Sequence, residues 1–253
     1  MSGMCGRVIQ KSRPDRLSLS IVDDLGSGSA GDTRWANVPP RYNGAPSQEL
    51  WVIRRNPADG ERALDLLRWG LIPYFCAERP KPPPINAAVE TLPTKTFPPE
   101  TRPFFADAYR RRRCILPIDG FFEWRAVKGE KVKQPFAIAM KDGSPFGLGA
   151  LWENWRDPKT GEWLRTFCVV TTRANTLVRP IHSRMPLILQ PADYGRWLSD
   201  EDDPRELLKP FASEPLTLWP VSTRVNSVKN DDPALIEPAP DADRGAPADG
   251  NSA

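Results

Sequence analysis

Twenty-nine prolines run through this chain of 253 residues, roughly twice the ~5% of an average protein. Proline locks its own φ and gives up a backbone donor, so it breaks helix interiors and gathers at the edges of elements. Many of these prolines fall at such edges. That distribution disfavours a bundle of long helices and favours short strands joined by fixed loops.

The strand signals agree. Residues 50–54 and 63–69 flank the turn-forming run 56–60, which predicts a hairpin. Residues 135–141, the turn Asp142-Gly143 and residues 146–152 predict a second one. The run 157–161 leads into 164–172, whose Phe167, Cys168, Val169 and Val170 read as a buried strand. Helical signals are fewer. Ser12 followed by Asp15 resembles a capping box opening a helix to about residue 25. Segments 100–112, 191–198 and 204–209 also read as helical, 26–31 as a flexible loop and 79–84 as a stiff extended connector. The expected fold class is α+β: one domain over residues 5–232, with a curved, mainly antiparallel sheet or barrel-like core and peripheral helices. Residues 1–4 read as a leader or a misassigned start. Residues 233–253 read as a disordered acidic, proline-rich tail.

Composition narrows the function. No apolar run approaches the ~18 residues of a membrane helix, and no signal-peptide pattern opens the chain, so a cytoplasmic location is expected. The four cysteines are scattered with no C-x-x-C pair, and His182 is the single histidine. Neither a metal centre, a disulfide framework nor a cofactor is therefore expected. Residues 231–253 carry a net charge of −5, which leaves +8 on the remainder. A basic body fits a polyanionic partner.

Cys5 follows directly on a second methionine, Met4. A free cysteine is ordinarily a small buried hydrophobe. Exposed as the first residue, it would carry an amine and a thiol two carbons apart, a pair that closes on an aldehyde to a thiazolidine. The α-amine suits neutral pH, because its pKa lies near ~8 against ~10.4 for lysine. Glu123 sits among aromatics, where a carboxylate either faces water from an edge strand or is desolvated. Trp69 is either core or a base-stacking platform, and Arg110–Arg113 is either a solvated helix end or a phosphate contact.

Eight ordered motifs carry a resemblance. They are Met4-Cys5-Gly6-Arg7; Arg41-Tyr42-Asn43 with Ala45-Pro46; Trp69-Gly70-Leu71 with Pro73; Ile85-Asn86-Ala87 with Glu90-Thr91; Cys114 with Pro117, Asp119-Gly120-Phe121 and Glu123-Trp124; Thr171-Thr172 with Ala174-Asn175; Ile181-His182 with Arg184-Met185-Pro186; and Pro220-Val221-Ser222 with Val225-Asn226. Together they resemble the SRAP family, the SOS response-associated peptidases or abasic site processing proteins. The resemblance implies a monomer that recognises abasic sites in single-stranded DNA and bonds to them covalently, nucleoid-associated when on DNA. It implies a lyase side reaction and removal of the leader. By motif position Cys5 is the nucleophile, and Asn43, Glu123 and His182 complete the active site. Arg7, Trp69, Asn86 and Thr171 fall near the nucleotide or its phosphates. The family's arginine two residues after Asn86 is Ala88 here, so Arg110 and Arg113 are the expected substitutes as phosphate contacts. Two other readings share these residues: a thiol peptidase acting on a peptide, and a non-covalent single-strand DNA-binding module.

Overall fold

The computed structural model describes residues 6–12, 39–56, 60–93 and 103–239. In chain order the strands of the first half are β1 (Val8–Gln10), β2 (Arg41–Gly44), β3 (Glu49–Arg55), β4 (Arg62–Trp69), β5 (Asn86–Ala88) and β6 (Arg113–Ile118). The second half adds β7 (Gly120–Arg125), β8 (Gln134–Met140), β9 (Phe146–Arg156), β10 (Trp163–Arg173), β11 (Arg184–Pro186) and β12 (Leu216–Pro220). Among the described residues two short α-helices, α1 (Ala106–Arg111) and α2 (Tyr194–Trp197), lie outside the sheets.

The strands form two layers. Following the pairings from β10 to β4, β3, β6, β9 and back to β10 closes a five-stranded barrel, antiparallel except at β4–β10. The second layer is an antiparallel sheet ordered β12-β8-β7-β1-β2. β5 and β11 both attach to the far half of β10. The expected α+β class with a barrel-like core is thus the observed one.

Side-chain period explains the closure. Along β9, Leu148, Ala150 and Trp152 point into the barrel beside Leu50, Val52, Leu67 and Val169. Leu151 points outward against Tyr109 of α1 and Trp197 of α2. Both faces are covered, so the strand reads as continuously apolar rather than alternating. Glycine permits the outer cover to come close. A Cβ on Gly147 would lie 2.6 Å from Ile115 Cγ2 and 2.8 Å from a Tyr194 ring carbon. The Gly147 N–H donates to the Tyr194 hydroxyl at 2.8 Å.

Five expectations need correction. Residues 135–141 and 146–152 are strands but not a hairpin: β8 pairs with β7 and β12, and β9 pairs with β6 and β10. The Asp142-Gly143 turn crosses between layers, and 157–161 is the hairpin turn, from β9 to β10, with Gly161 at φ 75°. The helix expected over 100–112 shrinks to α1, which starts where Ala106 N–H donates to Pro103 O. The tail does not begin at 233. Pro233–Ile236 is a 3-10 turn capped by Asp232, Leu235 is fully buried, and Val221 bridges to Pro238. Segment 191–198 splits into a 3-10 turn (Pro191–Asp193) and α2, and 204–209 reduces to the 3-10 turn Arg205–Leu207. The helix expected to about residue 25 and the 26–31 loop lie outside the described residues. Among the described residues no helix is long and apolar enough to cross a membrane.

Candidate active site

The site begins at the chain's first described strand. β1 lies between β2 and β7, with Val8 opposite Phe121 and Ile9 opposite Gly120. One step earlier, Phe122 N–H donates to Arg7 O at 3.1 Å. Glu123 is the next residue of β7. By strand alternation it follows Phe121 onto the face that meets the barrel, and it is 1% exposed. The desolvated alternative therefore holds: this carboxyl sits inside the protein, alongside the strand into which Cys5 leads. Cys5 itself lies outside the described residues.

Asn43 and Arg7 form a connected network. Arg7 Nη1 donates to Asn43 Oδ1 at 3.1 Å and to Val225 O at 2.6 Å, and Nη2 donates to Asn226 O at 3.2 Å. Asn43 offers its amide hydrogens to Val225 O, Ser227 O and Asn230 O at 3.2, 3.1 and 2.9 Å. Asp231 closes the far side, accepting from the Tyr42 and Asn43 N–H groups at 2.6 and 2.9 Å. The Trp124 indole N–H donates to Asn226 Oδ1 at 2.7 Å, and the Arg7 guanidinium stands 5.9 Å over its ring. Burial pulls the Arg7 guanidinium below its ordinary value, yet arginine keeps its charge. Segment 225–231 was missing from the sequence-derived site. Its signal was there in the Val225-Asn226 motif, but the atoms it contributes are mostly main-chain carbonyls.

A second group forms where β10 ends. Thr171 pairs with Ala88 of β5 and Pro186 of β11. Arg184 Nη2 donates to Thr171 O at 2.6 Å and Oγ1 at 3.2 Å, while its Nη1 lies 2.7 Å from both Glu90 carboxylate oxygens. The hydrogen bond from Arg184 holds the Glu90 carboxyl below its usual range. Arg184 N–H also donates to His182 Nδ1 at 3.1 Å. Arg184 O lies 3.1 Å from the same nitrogen, so the backbone of Arg184 holds Nδ1 in either tautomer. Asn86, half-buried, pairs with Val169 two residues before Thr171.

A cavity of about 870 Å³ lies next to these groups, but none of Arg7, Asn43, Glu123, Thr171, His182 and Arg184 lines it. Its walls include Phe136, the cross-strand partner of Glu123, and Ile181, the neighbour of His182. Leu177, Leu218 and Pro220 complete an apolar lining, and Arg125 and Lys133 stand at its margin.

Three expected DNA contacts stand elsewhere. Trp69 is 1% exposed, stacks on Phe167 at 5.8 Å and donates its indole N–H to Ile85 O at 2.9 Å. It packs the barrel and fixes the segment entering Asn86; no ring face remains for a base. Arg113 is 4% exposed, and its donors reach the carbonyls of Trp197, Tyr109, Arg110, Ser199 and Glu201. A guanidinium has five N–H groups, so none is left for a phosphate. Arg110 ion-pairs with Asp202 at 3.0 Å.

Comparison with known proteins bears on this arrangement. The sequence model of the family described as SOS response associated peptidase (SRAP) matches residues 4–228. Abasic site processing protein YoqW of Bacillus subtilis (strain 168) is 37% identical over 92% of this chain and 99% of its own. Abasic site processing protein YedK of Escherichia coli (strain K12) is 32% identical over 93% of this chain and 100% of its own. Abasic site processing protein HMCES of Xenopus tropicalis is 28% identical over 92% of this chain and 78% of its own. A crystal structure from Bacteroides thetaiotaomicron shares the fold, with TM-score 0.74, 24% identity and coverage of 93% of this chain and 100% of that one. One from Bordetella bronchiseptica has TM-score 0.66 and 27% identity over 86% of this chain and 100% of its own.

Proposed function

This chain belongs to the SRAP family, and on that premise we propose that it processes abasic sites in single-stranded DNA by bonding to them through Cys5. The observation that carries the reading is a buried carboxyl, Glu123, beside the strand into which Cys5 leads, in a chain whose relatives are named abasic site processing proteins. Two peptide units separate Cys5 from Arg7, and they span at most about 7 Å.

The chemistry uses the aminothiol. An abasic deoxyribose opens to an aldehyde. The Cys5 amine adds to the carbonyl carbon, and the carbinolamine loses water to give an imine. The thiolate then adds to the imine carbon and closes the thiazolidine, so one water leaves overall. Glu123, kept from bulk solvent, shuttles protons between amine and departing oxygen. His182, with Nδ1 held by Arg184 N–H, supplies Nε2 as the acid that opens the sugar ring. Arg7 and Asn43 hold β1 and segment 225–231 in register and so place the nucleophile; Asn86, half-buried, lines the approach of the nucleotide, and the buried Thr171 acts behind it by holding Arg184. The imine can also lose the 3′ phosphate by β-elimination, which gives a lyase side reaction. Single strands are preferred, because inside a duplex the aldehyde is hard to reach.

The nitrogen must be an amine, so residues 1–4 are absent from the active form, either because translation starts at Met4 or because the chain cuts the Met4–Cys5 bond. The family's description as a peptidase favours a second reading, in which the same thiol acts on a peptide and the leader is its substrate.

The test is a denaturing gel after mixing with an abasic single strand. Without reductant the unsubstituted protein gives a retained adduct and Cys5→Ala gives none; Cys5→Ala and Cys5→Ser, which both keep the amine, give a species trapped only by reduction. Glu123→Gln and His182→Ala slow the adduct by about 10²-fold or more. Equal adduct from Cys5→Ala would refute the assignment of the nucleophile.

A further inference from the structure

The 27 residues 164–190 contain four arginines and no acidic residue. This stretch holds most of β10, the connection with His182, and β11. Two of its arginines already have partners: Arg184 is held by Glu90, and Arg165 lies 4.0 Å from Asp65 at the opposite end of β10. Arg173 and Arg179 are exposed and ion-pair with no carboxylate among the described residues. Arg68 and Arg111 share that condition among the described residues, but they stand on β4 and α1, away from this stretch. Arg41, Arg55, Arg110, Arg205 and Arg224 each pair with an aspartate.

Their placement is specific. Arg173 is the direct cross-strand partner of Arg184, two residues beyond Thr171, which pairs with Ala88. Like charges directly opposite each other destabilise a strand pair. The carboxylate nearby, Glu90, is committed to Arg184 through both its oxygens, so the pair retains a net positive charge. Arg179 lies on the connection between the strands, whose frame is rigid. Asn175 accepts from Val178 N–H at 3.0 Å and donates to Phe211 O at 3.0 Å, and Val178 is fully buried. Ala174 N–H donates to Ser183 O at 3.0 Å. Leu177, Pro180 and Ile181 of this connection turn inward to line the apolar cavity. The connection therefore carries an exposed cation, Arg179, and lines the cavity with Leu177 and Ile181, just ahead of His182 in the chain.

We infer that Arg173 and Arg179 bind phosphates of the DNA single strand flanking the abasic site. This rests on the reading of the protein as an abasic-site processor of single-stranded DNA, and it gives to these two residues the role expected from sequence for Arg110 and Arg113.

The experiment is a salt titration of binding to an oligothymidylate without an abasic site, which separates affinity from covalent chemistry. Removing one cation that neutralises a single-strand phosphate lowers the slope of log K against log salt by about 0.7. Arg173→Ala and Arg179→Ala should each lower it by about that amount, and the double variant by about 1.4. Between 50 and 200 mM salt each variant then loses about threefold less affinity than the parent. Arg173→Lys, which keeps the charge, should hold the parent slope. Arg165→Ala, on the same strand at its other end, should leave the slope unchanged. An unchanged slope in both alanine variants overturns the inference, as does an equal drop in Arg165→Ala, which would make the effect one of net charge. A parent that gives no abasic adduct, with variants that still lose slope, sinks the covalent reading and leaves the phosphate contacts standing.

Discussion

Asn43 commits its whole amide to the protein interior. It is fully buried, it accepts from Arg7, and it reaches three carbonyls of segment 225–230. Asn43→Ala would take the side-chain donor from Asn230 O and an acceptor from Arg7 in a dry environment, while Val225 O keeps Arg7 and Ser227 O keeps the Asn230 N–H. The expected cost is about 2–3 kcal/mol of stability, read as a lowered midpoint in denaturant unfolding; a loss under about 0.5 kcal/mol would mean that the network holds nothing. The sequence singled out Arg7 and Asn43 through the motif resemblance. It could not say that they clasp each other, because their shared partners are main-chain carbonyls, which leave no residue signature. Trp69 shows the opposite limit. Its flanking glycine and proline suit a loop platform as well as a strand end, and only its stack on Phe167 decides for the core.

Between elements, Glu90 and Arg184 tie the 3-10 turn after β5 to β11 and so to His182. The hydrogen bond from Arg184 lowers the Glu90 carboxyl, with burial opposing. A carboxyl lowered by folding contributes stability that is full above its unfolded value, near ~4.3. That contribution is lost as pH falls through the folded value. Thermal melts of the parent and Glu90→Gln should therefore differ by a constant amount above about pH 5.5 and converge as the solution is acidified below about pH 4. A gap that widens toward acid contradicts the assignment. Strand positions were legible from alternation and turn residues: β3, β4 and β10 match their expected spans within two residues. Pairing was not. The Asp142-Gly143 turn has hairpin chemistry, but β12, from 76 residues further on, occupies the edge of β8. No local signal reports such a long-range competitor.

At the scale of the molecule, a barrel and a sheet share one apolar core. Val8, Phe121 and Ile138 of the sheet pack with Leu50, Trp69 and Val169 of the barrel. The net charge of the body is distributed in the same long-range way. Asp200, Asp202 and Asp203 pair with Arg55, Arg110 and Arg205, and Glu153 pairs with Arg112, which takes up part of the basic run that looked like a phosphate contact. The acid-free stretch around His182 is left with exposed cations. The fold class could be read from the chain. Which arginines remain free could not, because that depends on where the acids land.

The central claim is a thiazolidine at an N-terminal Cys5. The most direct measurement is the intact mass of the protein after reaction with an abasic oligonucleotide, before and after borohydride, with the N-terminus mapped. The account predicts a protein that begins at Cys5 and an adduct equal to the sum of the two partners less one water. Borohydride should leave that mass unchanged, because the ring has no reducible double bond. An adduct that gains two hydrogens on reduction would be an open imine. One at the full summed mass would be a hemithioacetal. Either result, or an active preparation that retains residues 1–4, contradicts the mechanism.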